Sequence, residues 1–418
     1  MKPPSAPLSA PLSFALLLPL LLAAQPVATD SYLPALPAIA AEMGSASDSL
    51  TMFVLAFGIA QIPVGSLADR IGRRPVLLGG LALYVVAALA GAFAINAAML
   101  AGVRALQGAA MAAILVCSRA AVRDLYPAHE GMHVMARGLT GLGVVALVAP
   151  VLGAFIVQGT GWRWVLGLMA LYGAVLLAMC RHSFAETLPA PRDAAQQKQQ
   201  PASAPGGGLR EVFASRSFRV WSSVSAASYG GIFCFLLLSP LVYIGYLGLP
   251  PAVYGWIPSG GSAIYIGATI ACRRLLYRWG PFRTVRLGAL LSLSGAAIQA
   301  LGCWLLPQSA WPLLLGHAVF CMGHGIHQPC GQAGAVGDLP RLAGRAVSWS
   351  GFAMMAVAFC VGEAAAHFME QPGYPHGAWP MVVPMLAAGT ALVLIAFAWL
   401  PRLASQHQQQ HHTDKEKA

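Results

Sequence analysis

The chain has 418 residues, of which 57% are hydrophobic and 9% charged, and its formal net charge is +11. Soluble domains carry about 25% charged residues, so this composition excludes one large water-soluble core, a disordered chain and a nucleic-acid-binding protein. The eight cysteines lie scattered in apolar segments without a C-x-x-C pair, which reads as small hydrophobes rather than a disulfide framework.

Apolar stretches of bilayer-spanning length recur along the chain. Twelve predicted spans fall near 13–33, 49–68, 76–95, 98–119, 139–159, 163–181, 220–246, 252–272, 286–306, 311–330, 346–368 and 379–400. The tenth is the weakest, because polar residues interrupt its inner end. Unpaired backbone groups are excluded from lipid, and these runs are too long and too uniformly apolar for barrel strands, so helices are expected. The N-terminal run 14–24 behind Lys2 has a second reading as a signal peptide.

Basic residues settle the expected orientation. Arg70, Arg73 and Arg74 follow span 2, Arg119, Arg123 and Arg137 lie around spans 4 and 5, and Arg273, Arg274, Arg278, Arg283 and Arg286 follow span 8. The opposite set of loops holds Arg163 alone. Basic loops are retained in the cytoplasm, so both termini are expected there, and anionic headgroups become expected neighbours. The segment 186–208 is rich in Pro, Gln, Ala and Gly and reads as a flexible linker, with an amphipathic interfacial helix expected over 209–218. The resulting division is an N-terminal six-helix bundle over 1–182, a linker with its short helix over 183–217, a C-terminal six-helix bundle over 218–402 and a disordered tail over 403–418.

Several residues in the spans demand an explanation. Asp30 sits in span 1 ahead of Tyr32, Pro34 and Pro37; a carboxylate in lipid needs water, a proton or a partner, and the prolines interrupt helix hydrogen bonding. Either the helix simply ends there in wet headgroups, or Asp30 is a working group. Arg104, with Gln107 and Gly108 after it, opens span 4. Both charges fall in the outer half, so a buried Asp30–Arg104 pair is an expectation, and protonating Asp30 would weaken it. The turn after span 2 carries Gly65, Asp69, Arg70, Gly72, Arg73 and Arg74: glycines for a reversal, and an acid able to hold arginines or helix ends. A plain basic topology anchor explains the same charges. Gly141, Pro150 and Gly153 in span 5 suit either close helix packing or a sealing rearrangement. Glu363 in span 11 is a candidate for substrate or proton contact, or a rim carboxylate. His317, Cys321 and His324 share one face of span 10 and His327 lies off it; His324 and His327 are expected to line a polar interface or cavity, and no metal site is expected there or in the tail histidines.

These motifs together resemble the major facilitator superfamily, and more closely the drug:proton antiporters of the Bcr/CflA group. Residues 30–37 resemble that group's Asp-x-Tyr-Leu-Pro-x-x-Pro sequence, residues 65–74 the loop between helices 2 and 3, and Arg104, Gln107 and Gly108 the fourth-helix Arg-x-x-Gln-Gly core. The resemblance implies an all-α integral membrane protein with the twelve-helix transporter fold in two six-helix bundles. It implies no enzyme, but proton-coupled export of small amphipathic molecules across the bacterial inner membrane by a monomer. No cofactor is implied; the proton gradient is the energy source. Asp30 and Arg104 are the implied proton-coupling residues. Gly65, Asp69, Arg70, Gly72, Arg73 and Arg74 are the implied cytoplasmic gate. Span 5 departs from the antiporter pattern with Ala149, Ala154 and Val145 where glycines are common. Solute uptake by proton symport and a non-transporting membrane sensor or scaffold are the competing functions.

Overall fold

The computed structural model describes residues 12–126, 128–188, 207–339, 342–370 and 377–400. Within them the chain is helical throughout and divides into two compact units, Met1–Ala202 and Ser203–Ala418.

The first unit begins with α1 (Leu12–Thr29), a 3-10 turn (Leu33–Ala35) and α2 (Leu36–Met43). They form one helical path, and its stretch Leu16–Met43 is long and apolar enough to cross a bilayer. The span was expected to end near residue 33. Pro34 and Pro37 instead sit in the first turns of the new helical segments, where a missing N–H is tolerated, so the path continues and Asp30 falls near its middle. There follow α3 (Ser47–Ile71), α4 (Arg73–Ala92), α5 (Ala97–Leu125), α6 (Ala128–Thr160) and α7 (Arg163–Ser183). Helix α5 packs between α3 and α4, while α1 lies against α6 and α4 against α7.

Small residues permit these close crossings. A side chain at Gly108 of α5 would run into the backbone carbonyl of Phe53 in α3, and one at Gly153 of α6 into the carbonyl of Ser31 at the α1 break. A side chain at Gly141 would instead meet the ring of Pro19 in α1. At one end Glu42 binds Arg163 through both carboxylate oxygens, at 2.7 and 2.9 Å, and accepts from Trp162 Nε1 at 2.7 Å.

The second unit holds α8 (Gly207–Ala214), α9 (Arg216–Pro240) continued by a π-turn (Leu241–Tyr246), α10 (Pro251–Tyr254), α11 (Trp256–Leu305), α12 (Ala310–Gly337), α13 (Ala343–Glu370) and α14 (Trp379–Leu394) with a π-turn (Ile395–Trp399). The expected interfacial helix over 209–218 is cut at Ser215, whose Oγ accepts from Phe218 N at 3.2 Å and so starts α9. Helix α11 is two spans meeting at Gly280, whose φ of 72° breaks the helical path. Ten stretches among the described residues are long and apolar enough to cross a membrane. Counting α11 as two and adding α12, which has spanning length but carries His317, His324, His327 and Gln328, gives the twelve helices. Helix α12 packs against both α11 and α9, and its polar side chains turn inward. The expected linker lies mostly at 189–206, and the expected tail with its histidines at 403–418; both lie outside the described residues.

Candidate functional site

The helix break in α1 creates the centre of the first unit. Tyr32 N turns back to Thr29 O at 3.2 Å, which leaves the carbonyl of Ala28 without its ordinary i+4 donor. Arg104 fills that vacancy: its Nη2 donates to Ala28 O at 2.9 Å. Its Nη1 donates to Gln107 Oε1, one turn along α5, and lies 3.8 Å from Met169 Sδ of α7. The guanidinium stacks between Tyr32 and Phe53, 4.3 and 4.5 Å from the ring centroids. Tyr32 is held in turn by its hydroxyl, 2.9 Å from Ser49 Oγ. Arg104 is 1% exposed, and no carboxylate among the described residues lies within ion-pair distance of it.

Asp30 therefore does not pair with Arg104. Its carboxylate takes the Thr29 hydroxyl at 2.7 Å, and the two charges are linked through two residues of backbone, from Ala28 to Asp30. The reason is geometric: the break offers the arginine a main-chain acceptor closer than the carboxylate. Sequence reading missed the roles of Ala28, Ser49, Phe53 and Met169, since nothing in those residue types announces an arginine partner.

A second cluster forms where α3 turns into α4. Gly72 makes the reversal at φ 103°, and a side chain there would collide with the carboxylate of Glu186. Arg73 is buried and bridges Asp69 Oδ1 at 2.5 Å and Asp124 Oδ2 at 3.1 Å. Arg74 Nε donates to Phe184 O at 2.8 Å and Nη2 to Arg181 O at 2.9 Å. Glu186 accepts the backbone N–H groups of Arg73 and Arg74, at 2.8 and 3.1 Å, and those of Thr187 and Leu188. Partial burial would raise the Glu186 pKa, but these four donors outweigh it and hold the carboxyl below its usual range.

Three expectations need correction here. Gly65 lies inside α3 with open space around it and makes no turn, because the helix continues to Ile71. Arg70 is exposed and forms no ion pair among the described residues. The linker does not start free at residue 186, since Phe184 and Thr187 are buried and Glu186 caps α4. Asp124 and Glu186 went unread as site residues. Their signals were an acid directly after Arg123 at the end of α5, and an acid just beyond Ser183.

In α6, Pro150 and Gly153 are buried, and Gly153 is the contact with the α1 break. In the second unit, His324 Nδ1 lies 2.8 Å from Ser228 Oγ, with the Tyr265 ring tilted against it at 5.2 Å between centroids. His317 stacks on Phe235 and sits 3.3 Å from Cys321 Sγ. His327 is fully buried against Gly288, so it faces the α11–α12 contact and lines no open surface. Glu363 is half-buried in α13. Among the described residues no group of three or more His, Cys, Asp or Glu is placed to hold a metal.

The sequence of residues 20–363 matches the model of the Major Facilitator Superfamily. The chain belongs to the major facilitator superfamily. This superfamily member is a multi-pass secondary transporter and not an enzyme. It is 28% identical over 395 residues to a chloramphenicol resistance protein of Pseudomonas aeruginosa, covering 92% of this chain and 89% of the relative. It is 26% identical to a bicyclomycin resistance protein homolog of Haemophilus influenzae, covering 84% and 88%. Its fold resembles the crystal structure of a D-xylose-proton symporter, with TM-score 0.69, 15% identity and coverage of 91% and 97%.

Proposed function

We propose that this transporter exports small amphipathic drugs or toxic metabolites across the bacterial inner membrane in exchange for protons, by alternating access and as a monomer. Relatives named for resistance to chloramphenicol and bicyclomycin support the substrate class. The observation that carries the coupling is the buried guanidinium of Arg104, bound to the carbonyl that the α1 break leaves open, two residues from Asp30.

The coupling runs through that break. An ionised Asp30 needs polar stabilisation at the break, such as the Thr29 hydroxyl it accepts from, and a protonated Asp30 does not. The 3-10 turn between α1 and α2 is the element whose hydrogen bonding can shift in response, because its prolines already forgo regular helix bonds. Drug enters from the cytoplasm or inner leaflet. An external proton reaches Asp30, the drug leaves outside, and the proton leaves inside. The turn built from Asp69, Gly72, Arg73 and Asp124, with Glu186 behind it, acts as the cytoplasmic gate. The basic loops support a cytoplasmic side for this turn and both termini. The membrane potential adds about 2.3 kcal/mol per net charge per 100 mV.

The test is transport in proteoliposomes with imposed pH and voltage gradients, using chloramphenicol and a panel of lipophilic cations. Wild type should move drug against its gradient when the proton gradient is applied. Asp30→Asn should lose gradient-driven transport while retaining downhill exchange, and Arg104→Ala should lose both. Unchanged proton-driven export in the two variants defeats the coupling. Gradient-driven gain of solute in place of export would establish symport.

A further inference from the structure

The arginines beside the first unit's α3–α4 turn are largely answered from within the chain. Arg73 is bridged by Asp69 and Asp124, and Glu186 takes the N–H groups that open α4. The reversal at Gly280 in the second unit is built otherwise. Arg273, Arg274, Arg278 and Arg283 flank it, all exposed, and no acidic residue occurs between Glu211 and Asp338. Among the described residues none of the four forms an ion pair. Arg286 is engaged differently: Nε donates to Ala396 O at 3.3 Å, and its guanidinium lies 5.2 Å over the Phe397 ring.

The backbone carrying these charges is fixed. Leu275, Leu276 and Phe282 pack onto the buried core around Val285, Ala289 and Cys330. Arg274 and Arg278 are one helical turn apart, so their guanidinium groups repel on one face. Tyr277 is 94% exposed and Trp279 48% exposed within the same turn, and Ile270 is exposed on the same helix. Guanidinium groups match the fork of a phosphate, aromatic rings settle at headgroup depth, and an exposed aliphatic face suits an acyl chain.

We infer that Arg273, Arg274, Arg278 and Arg283, with Tyr277 and Trp279, form a binding site for the phosphodiester headgroup of an anionic phospholipid. It supplies from the membrane the negative charge that the first unit supplies with its own carboxylates. The inference rests on the membrane orientation given by the basic loops and is independent of which solute is carried.

The test is native mass spectrometry of the delipidated full chain, titrated with phosphatidylglycerol and with phosphatidylcholine of the same acyl chains. Wild type should retain the anionic lipid about fivefold or more over the zwitterionic one. The triple variant Arg274→Gln, Arg278→Gln, Arg283→Gln should fall to parity while its melting temperature stays at that of wild type. A control carrying Arg137→Gln, Arg216→Gln and Arg219→Gln should keep the preference. Equal retention of the two lipids by wild type overturns the site, as does an equal loss in the control. Displacement of the lipid by millimolar inorganic phosphate would assign the arginines to a soluble anion and overturn the lipid.

Discussion

Gly108 and Gly153 illustrate how single residues set the geometry around the α1 break. Each lets a helix backbone reach another: α5 against Phe53, whose ring supports Arg104, and α6 against Ser31 beside Asp30. A methyl group has nowhere to go at either position, because the opposing atom is backbone. Gly108→Ala and Gly153→Ala should each destabilise by about 1–3 kcal/mol, read as a lower melting temperature in detergent. Gly65→Ala should be neutral or slightly stabilising, since that glycine lies in open space within a helix. Equal losses in all three would contradict the packing described. Arg104→Lys keeps the charge but gives up the planar contact with Tyr32 and Phe53 and the two-ended bonding to Ala28 and Gln107. It should bind drug near normally and transport it at least about tenfold more slowly, checked by separate binding and flux measurements.

Helix α4 shows how an element depends on residues far away in the chain. Its first N–H groups are answered by Glu186, which follows α7, rather than by a local cap. The carboxyl is held below its ordinary pKa, so its stabilisation is present above the unfolded value of about 4.3 and is lost as pH falls through the lower folded value. Glu186→Gln should lower stability at neutral pH by about 0.5–1 kcal/mol, the side chain being solvent-screened. The difference between variant and wild type should stay constant from pH 7 to about 5 and close as pH falls below about 4. A difference that grows in acid would reverse the assignment. The reversal at Gly280 depends on backbone freedom: with φ at 72° and ψ at 175°, Gly280→Ala should cost about 1–3 kcal/mol by melting, although no side chain crowds the site.

At the scale of the whole molecule, the topology expected from an even helix number and basic loops predicts that the turns at Gly72 and Gly280 are both cytoplasmic. In a cysteine-free background, Ser66→Cys and Tyr277→Cys should be blocked in intact cells only by a membrane-permeant maleimide. Phe93→Cys and Leu306→Cys, between the opposite helix ends, should react with an impermeant one. Labelling of the first pair from opposite sides would dismantle the twelve-helix topology. The two units also reach charge balance by different routes. The first contains its own carboxylates at the turn, and the second leaves its arginines to the surroundings.

The spans and their number were legible in the amino-acid order because they follow from composition over about 20 residues, and where the arginines fall gives an expectation for the sidedness of the loops. Asp30, Arg104 and the turn at Gly72 could be singled out for the same reason: a charge in an apolar run is costly wherever it ends up. What those charges touch was decided only in three dimensions. Arg104 bonds a carbonyl released by the α1 break instead of Asp30, Gly65 turns nothing, and Asp124 and Glu186 meet Arg73 from 51 and 113 positions away. Hydrophobicity and charge are properties each segment carries alone, whereas a hydrogen-bond partner depends on which backbone groups the neighbouring helices leave open.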